Sequence, residues 1–91
     1  MTPSGVRLRL YSRDYCHLCH DLLAALEAMR GECPAAFSVE VIDVDADPAL
    51  AERYDELVPV LVAEDRDGEH ELCHYFLDKA AVIGWLAKFA V

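Results

Sequence analysis

The stretch Cys16-His17-Leu18-Cys19-His20 concentrates reactive side chains: two thiols three positions apart, each followed by an imidazole. Such residues at this spacing support three chemistries: a dithiol that cycles with a disulfide, half of a metal site, or covalent haem attachment through C-x-x-C-H. Haem needs an axial histidine and usually a distal ligand such as methionine. The chain holds only Met1 and Met29, and Met29 falls on the helix expected to carry the motif, so the haem reading is weak. Zinc needs four ligands, usually thiolates and imidazoles. Cys33, or Cys73 with His74, would have to complete the set. No second C-x-x-C or H-x3-H pair exists, and adjacent strand residues such as Cys73 and His74 point to opposite faces. No resident metal is therefore expected.

The redox reading depends on the element that holds the pair. Residues 6–11 (VRLRLY) alternate apolar and polar side chains, the period of a half-buried strand, and Ser12 to Tyr15 read as a turn. From Cys16 or His17 to Arg30 the spacing predicts a helix with Cys19, Leu22, Leu23, Leu26 and Met29 on one face, closed by Gly31 and Pro34. Cys16 then stands at the helix N-terminus, where unpaired backbone N–H groups and the helix dipole favour a thiolate. Cys19, one turn on, lies within bridging distance and on the apolar face. A bridge across so short a loop removes little unfolded-state entropy, so its value is chemical rather than structural. The inert alternative, two small buried hydrophobes, suits Cys19 better than Cys16. His17 and His20 would tune the thiols by charge or proton relay, or else be exposed helix-surface histidines. Cys33, in a loop before Pro34, reads as a bystander, and Cys73 as a buried strand residue.

Downstream, residues 37–44 (FSVEVIDV) form a β-branched strand, and Asp47-Pro48 caps a short helix to about Leu57. Residues 60–64 and 69–76 flank Asp67-Gly68 as a hairpin, and Asp78 caps a last helix with Val82, Ile83, Leu86, Phe89 and Ala90 as its buried stripe. Trp85, Tyr54 and Phe76 read as packing groups. The order β-α-β-α-β-β-α predicts an α/β domain over residues 1–91, with parallel first strands and an antiparallel last pair. Seventeen acidic against eight basic residues give a net charge of −9, which repels phosphate backbones and argues against nucleic acid and anionic membrane as partners. Acidic runs such as Asp43, Asp45, Asp47 and Glu64-Asp65 lack EF-hand spacing and read as solvated edges and caps. No apolar run reaches membrane-spanning length and the start has no signal-peptide core, so a cytoplasmic monomer is expected. Cysteines in such a compartment point to catalytic or metal-binding thiols rather than a disulfide scaffold.

Element order, the Cys16–Cys19 motif and Val58-Pro59 before a strand together resemble the thioredoxin-like superfold, and most of all small bacterial glutaredoxin-like proteins. The resemblance runs from "LRLYSRDYCHLCHDLLAAL" through "VEVIDVDADPALAERYDELVPVLV" to the closing hairpin and helix. It implies a four-stranded mixed sheet flanked by helices. It implies Cys16 as nucleophile, Cys19 as resolving thiol, Pro59 as a cis-proline facing the disulfide, and Val58 as the residue whose backbone pairs with a bound peptide or glutathione. Arg13 stands where glutaredoxins carry a lysine for the glutathione carboxylate, and an arginine there would also lower a thiol pKa, offset in part by Asp14. The chain departs from the family in having His17-Leu18 between the cysteines and no glycine pair before the last helix, where Asp78 alone remains of a Gly-Gly-Asp segment. The expected function is thiol–disulfide exchange on protein or small-molecule disulfides. It requires no cofactor, with glutathione as a reductant the resemblance suggests. The competing expectation is a non-catalytic thioredoxin-like module that binds a protein or, through Cys16 and Cys19, a metal.

Overall fold

Val6, Leu8 and Leu10 alternate with Arg7 and Arg9, and this segment forms the inner strand β1 (Val6–Ser12) in a computed structural model that describes residues 6–54, 57–65 and 67–89. Helix α1 (His17–Ala28) returns the chain so that β2 (Phe37–Asp43) runs parallel to β1, with Val6 opposite Phe37 and Leu10 opposite Val41. Helix α2 (Pro48–Tyr54) leads to β3 (Val60–Asp65), antiparallel on the other side of β1 with Leu10 opposite Leu61. Strand β4 (Gly68–His74) completes the sheet in the order β2-β1-β3-β4, and α3 (Lys79–Ala87) closes the chain. The expected α/β mixed sheet with flanking helices is what the chain forms.

Strand alternation divides the core between the two faces. Val6, Leu8, Leu10, Phe37, Leu61 and Ala63 pack with Leu22 and Leu26 of α1, with Met29 just after it, and with Val82, Trp85 and Leu86 of α3. On the opposite face Tyr11, Val60 and Val62 pack with Tyr54 of α2 and with Val44. Because α2 is short, it leaves part of this face to charged residues. Arg9 meets Glu69 at 2.8 Å, Glu64 at 3.4 Å and Glu40 at 3.5 Å. The Tyr11 hydroxyl donates to Glu69 at 2.6 Å while its ring stacks on Tyr54 at 4.4 Å. Burial, then the Glu69 contact, pushes the Tyr11 phenol up to about 12. Burial pushes Glu69 upward, but the hydrogen bonds from Tyr11 and Arg9 together outweigh it and hold the carboxyl below its usual range.

Several element ends differ from the sequence expectation. Helix α1 stops at Ala28, and the chain tightens into a 3-10 turn, Arg30–Glu32, in which Glu32 N–H donates to the Met29 carbonyl. Helix α2 ends at Tyr54; Asp55 and Glu56 lie outside the described residues, and Leu57 already belongs to a turn. Strand β4 ends at His74 rather than residue 76, because Tyr75 is left-handed with φ 65°. Phe76 is therefore 69% exposed and is not a packing group. In α3 the buried stripe is Val82, Trp85 and Leu86. Phe89 lies beyond the last helical turn at 45% exposure, and Ala90 is outside the described residues.

Candidate active site

Helix α1 begins on the motif itself. Cys16 is the N-cap, with extended backbone, and its Sγ accepts a hydrogen bond from Cys19 N–H at 3.1 Å. The Cys16 N–H donates to the Arg13 carbonyl, and His20 N–H donates to the Cys16 carbonyl to start the helical ladder. The sulfur therefore occupies the place a serine or aspartate oxygen takes at an ordinary helix start. A thiolate there is favoured by the same N–H and by the helix dipole. Cys16 and Cys19 are joined by a disulfide with their Cα atoms 5.2 Å apart. Cys16 is half-exposed, whereas Cys19 is 2% exposed and held among the core positions of α1. Of the pair, only Cys16 is partly exposed.

The remaining expected residues are placed unequally. The Val58–Pro59 peptide is cis; Pro59 is fully buried, and Val58 packs beside the Tyr11–Tyr54 cluster. The Arg13 guanidinium pairs with Asp45 at 3.2 Å. The offset to its charge is thus supplied by Asp45, from the turn after β2, in addition to any effect of Asp14. Asp78 Oδ1 accepts from Ala81 N–H at 3.0 Å and so works as the N-cap of α3. His17 and His20 are exposed on the first turn of α1. Burial pushes both other thiols, Cys33 and Cys73, above the ordinary cysteine value, which makes them poor nucleophiles. Among the described residues no three His, Cys, Asp or Glu side chains gather as a metal site.

One feature near the site had no signal in the sequence. Phe76 N–H donates to the His74 carbonyl across left-handed Tyr75, a three-residue γ-turn of the rare, strained kind. Tyr75 N–H donates to the Pro59 carbonyl at 2.9 Å, which fastens this turn to the cis-proline segment. A left-handed residue other than glycine costs on the order of 1 kcal/mol or more, and such strain concentrates at functional sites. The usual glycine or asparagine that would flag the turn is missing.

With this geometry in place, comparison with known families is decisive. The model of the Glutaredoxin-like domain (DUF836) matches residues 7–87. The chain belongs to that family. Among solved structures, this glutaredoxin-like chain is similar to protein Ne2328 from Nitrosomonas europaea, at 35% identity and TM-score 0.77 over 94% of this chain and 96% of that one. It is also similar to the structural genomics target protein XcR50 from X. campestris, at 34% identity and TM-score 0.63 over 89% and 96% of the two chains. A mutant thioredoxin from Halobacterium salinarum matches at 26% identity and TM-score 0.67 over 96% and 76%. The curated proteins contain no match. The fold is therefore thioredoxin-like, and the glutaredoxin-like chain carries its C-x-x-C pair where a redox-type dithiol stands in that fold.

Proposed function

We propose that the protein is a thiol–disulfide oxidoreductase. The observation that carries this reading is the asymmetry of the joined pair, an open Cys16 at a helix N-cap bonded to a buried Cys19 one turn later. In the reduced protein the Cys16 thiolate attacks one sulfur of a substrate disulfide, whose S–S bond breaks and releases the first substrate thiolate. Cys19 then attacks Cys16 Sγ, and its proton passes to the departing group. The second substrate thiol leaves and the Cys16–Cys19 disulfide forms. Two electrons and the Cys19 proton move from the dithiol to the substrate, and the first substrate thiolate takes its proton from solvent. An external dithiol, or two glutathione molecules, restores the reduced pair.

No resident cofactor takes part. Arg13, His17, Val58, Pro59 and Asp78 are assigned to binding the substrate, which is a disulfide-containing protein or glutathione. The cytoplasm fits the reading, because its reducing pool would recharge the dithiol. No helix among the described residues is long and apolar enough to cross a membrane. Nucleic acid and membrane are not assigned as partners, and the working unit is a monomer. Equilibration in graded glutathione or dithiothreitol buffers tests the proposal. The pair should titrate reversibly as a two-electron couple, and reduced protein should cleave a model disulfide catalytically. A protein that instead retains stoichiometric zinc, or that titrates but never turns over, would be a binding module.

A further inference from the structure

We propose that the groove between α1 and the turn after β4 receives a cationic, apolar stretch of polypeptide beside the substrate's disulfide, and that polypeptide rather than glutathione disulfide is the substrate class. This rests on the exchange reading. The groove, about 290 Å³, is walled by Asp21, Leu22 and Ala25 on one side and by Tyr75, Phe76 and Leu77 on the other. Its size is near the lower end of ligand pockets, enough for one or two side chains of an extended segment.

Each wall is tied to an element that carries the dithiol site. The first wall lies on α1, the helix that Cys16 and Cys19 begin, roughly one to three turns further along it than Cys16. The second wall is the strained turn whose Tyr75 N–H is bonded to the Pro59 carbonyl. Past this turn Leu77 packs against the core and the Tyr75 ring meets His74, yet Phe76 is left 69% exposed, and Tyr15, next to Cys16, is 78% exposed. Exposed aromatic groups present apolar area to a partner.

Charge decides which partner. Asp21 stands in the groove, Asp14 precedes Tyr15, and the whole chain carries −9. Arg13, the cation nearest the motif in sequence, is paired with Asp45. Lysine or arginine beside an apolar residue complements this surface. Glutathione disulfide is anionic and brings no apolar side chain to fill the groove.

Stopped-flow exchange with the reduced full-length protein tests the assignment. The probes are two disulfide-closed peptides of equal length, one with Leu-Lys flanks and one with Gly-Glu flanks, together with glutathione disulfide. The Leu-Lys peptide should react about tenfold faster than either of the others, with the advantage shrinking as salt is raised, as expected for steering by charge. Asp21→Lys and Phe76→Ser alter exposed residues on opposite walls. Each should lower the Leu-Lys to Gly-Glu rate ratio by about three- to tenfold, the scale of one interfacial charge or aromatic contact. A ratio near one in the unaltered protein, or a ratio that neither variant changes, overturns the groove assignment while leaving disulfide exchange intact. Failure to react with any of the three probes overturns the exchange reading, and the groove assignment with it.

Discussion

Cys16 and Cys19 are the same residue type in opposite surroundings, and their roles follow from that difference. If Cys16 is the attacking thiol, Cys19→Ser should accumulate a mixed disulfide at position 16 after treatment with an oxidised substrate. Cys16→Ser should form no such adduct at Cys19, which burial shields, and mass spectrometry of the treated proteins distinguishes the cases. Arg9 is a second residue with a defined burden, since it faces Glu40, Glu64 and Glu69 together. Arg9→Ala should lower unfolding stability by roughly 1–3 kcal/mol, between the values of exposed and buried ion pairs, as read from urea midpoints. The same cluster gives a pH dependence. Glu69 binds its proton at lower pH in the fold than in the unfolded chain, so its contribution is present above the usual carboxylate range and is lost as pH falls through the folded value. Tyr11 works oppositely: its stabilisation holds below about pH 10 and is lost as pH rises toward about 12. Urea midpoints should decline at both extremes, and Glu69→Gln should flatten the acid limb. Of these residues, the sequence exposes the cysteines through their spacing. The partners of Arg9 and Arg13 come from distant strands and turns, which no local pattern encodes.

At the scale of elements, caps carry much of the information. Asp43, Asp47 and Asp78 each accept a backbone N–H at the start of a helical turn, as their sequence neighbours suggest. Asp78 is also an expected substrate residue, and the two roles separate experimentally. Asp78→Ala should cost about 1 kcal/mol of stability by denaturant unfolding, whereas Asp78→Asn, a comparable cap, should cost little. Loss of exchange in the asparagine variant alone would then report on the carboxylate charge. Strand β1 and helix α1 are legible because their apolar periods are clear, and α2 and α3 because Asp47 and Asp78 mark their starts. Element ends are less legible for identifiable reasons. Helix α1 tightens into a 3-10 turn while its apolar pattern continues through buried Met29. In β4 the register shifts between Leu61 and Val62, so Cys73 faces Leu61 while Glu71 faces Val62. The alternation that defines a strand is broken there, and an ordinary tyrosine makes the following turn.

For the whole molecule the dominant quantity is a charge of −9 on a particle 38 × 26 × 22 Å in extent. Self-repulsion of this size opposes compactness and is relieved by screening. Calorimetry should show Tm rising by a few degrees as sodium chloride increases from low to physiological ionic strength, despite the loss of attraction at Arg9. The strand order has a further consequence, for the order of assembly. Strands β1 and β2 are brought together by one helix, and β3 and β4 by one tight turn, so each pair can close early. The seam between β1 and β3 joins Leu10 to Leu61, across more than half the chain. That closure has the highest entropic cost and should set the folding rate. Leu61→Ala should therefore slow refolding more than it speeds unfolding in a chevron measurement. During synthesis β1 precedes its partner β3 by about half the domain, so one hydrogen-bonding edge of this first strand waits longest for its partner, even though α1 covers its core face early.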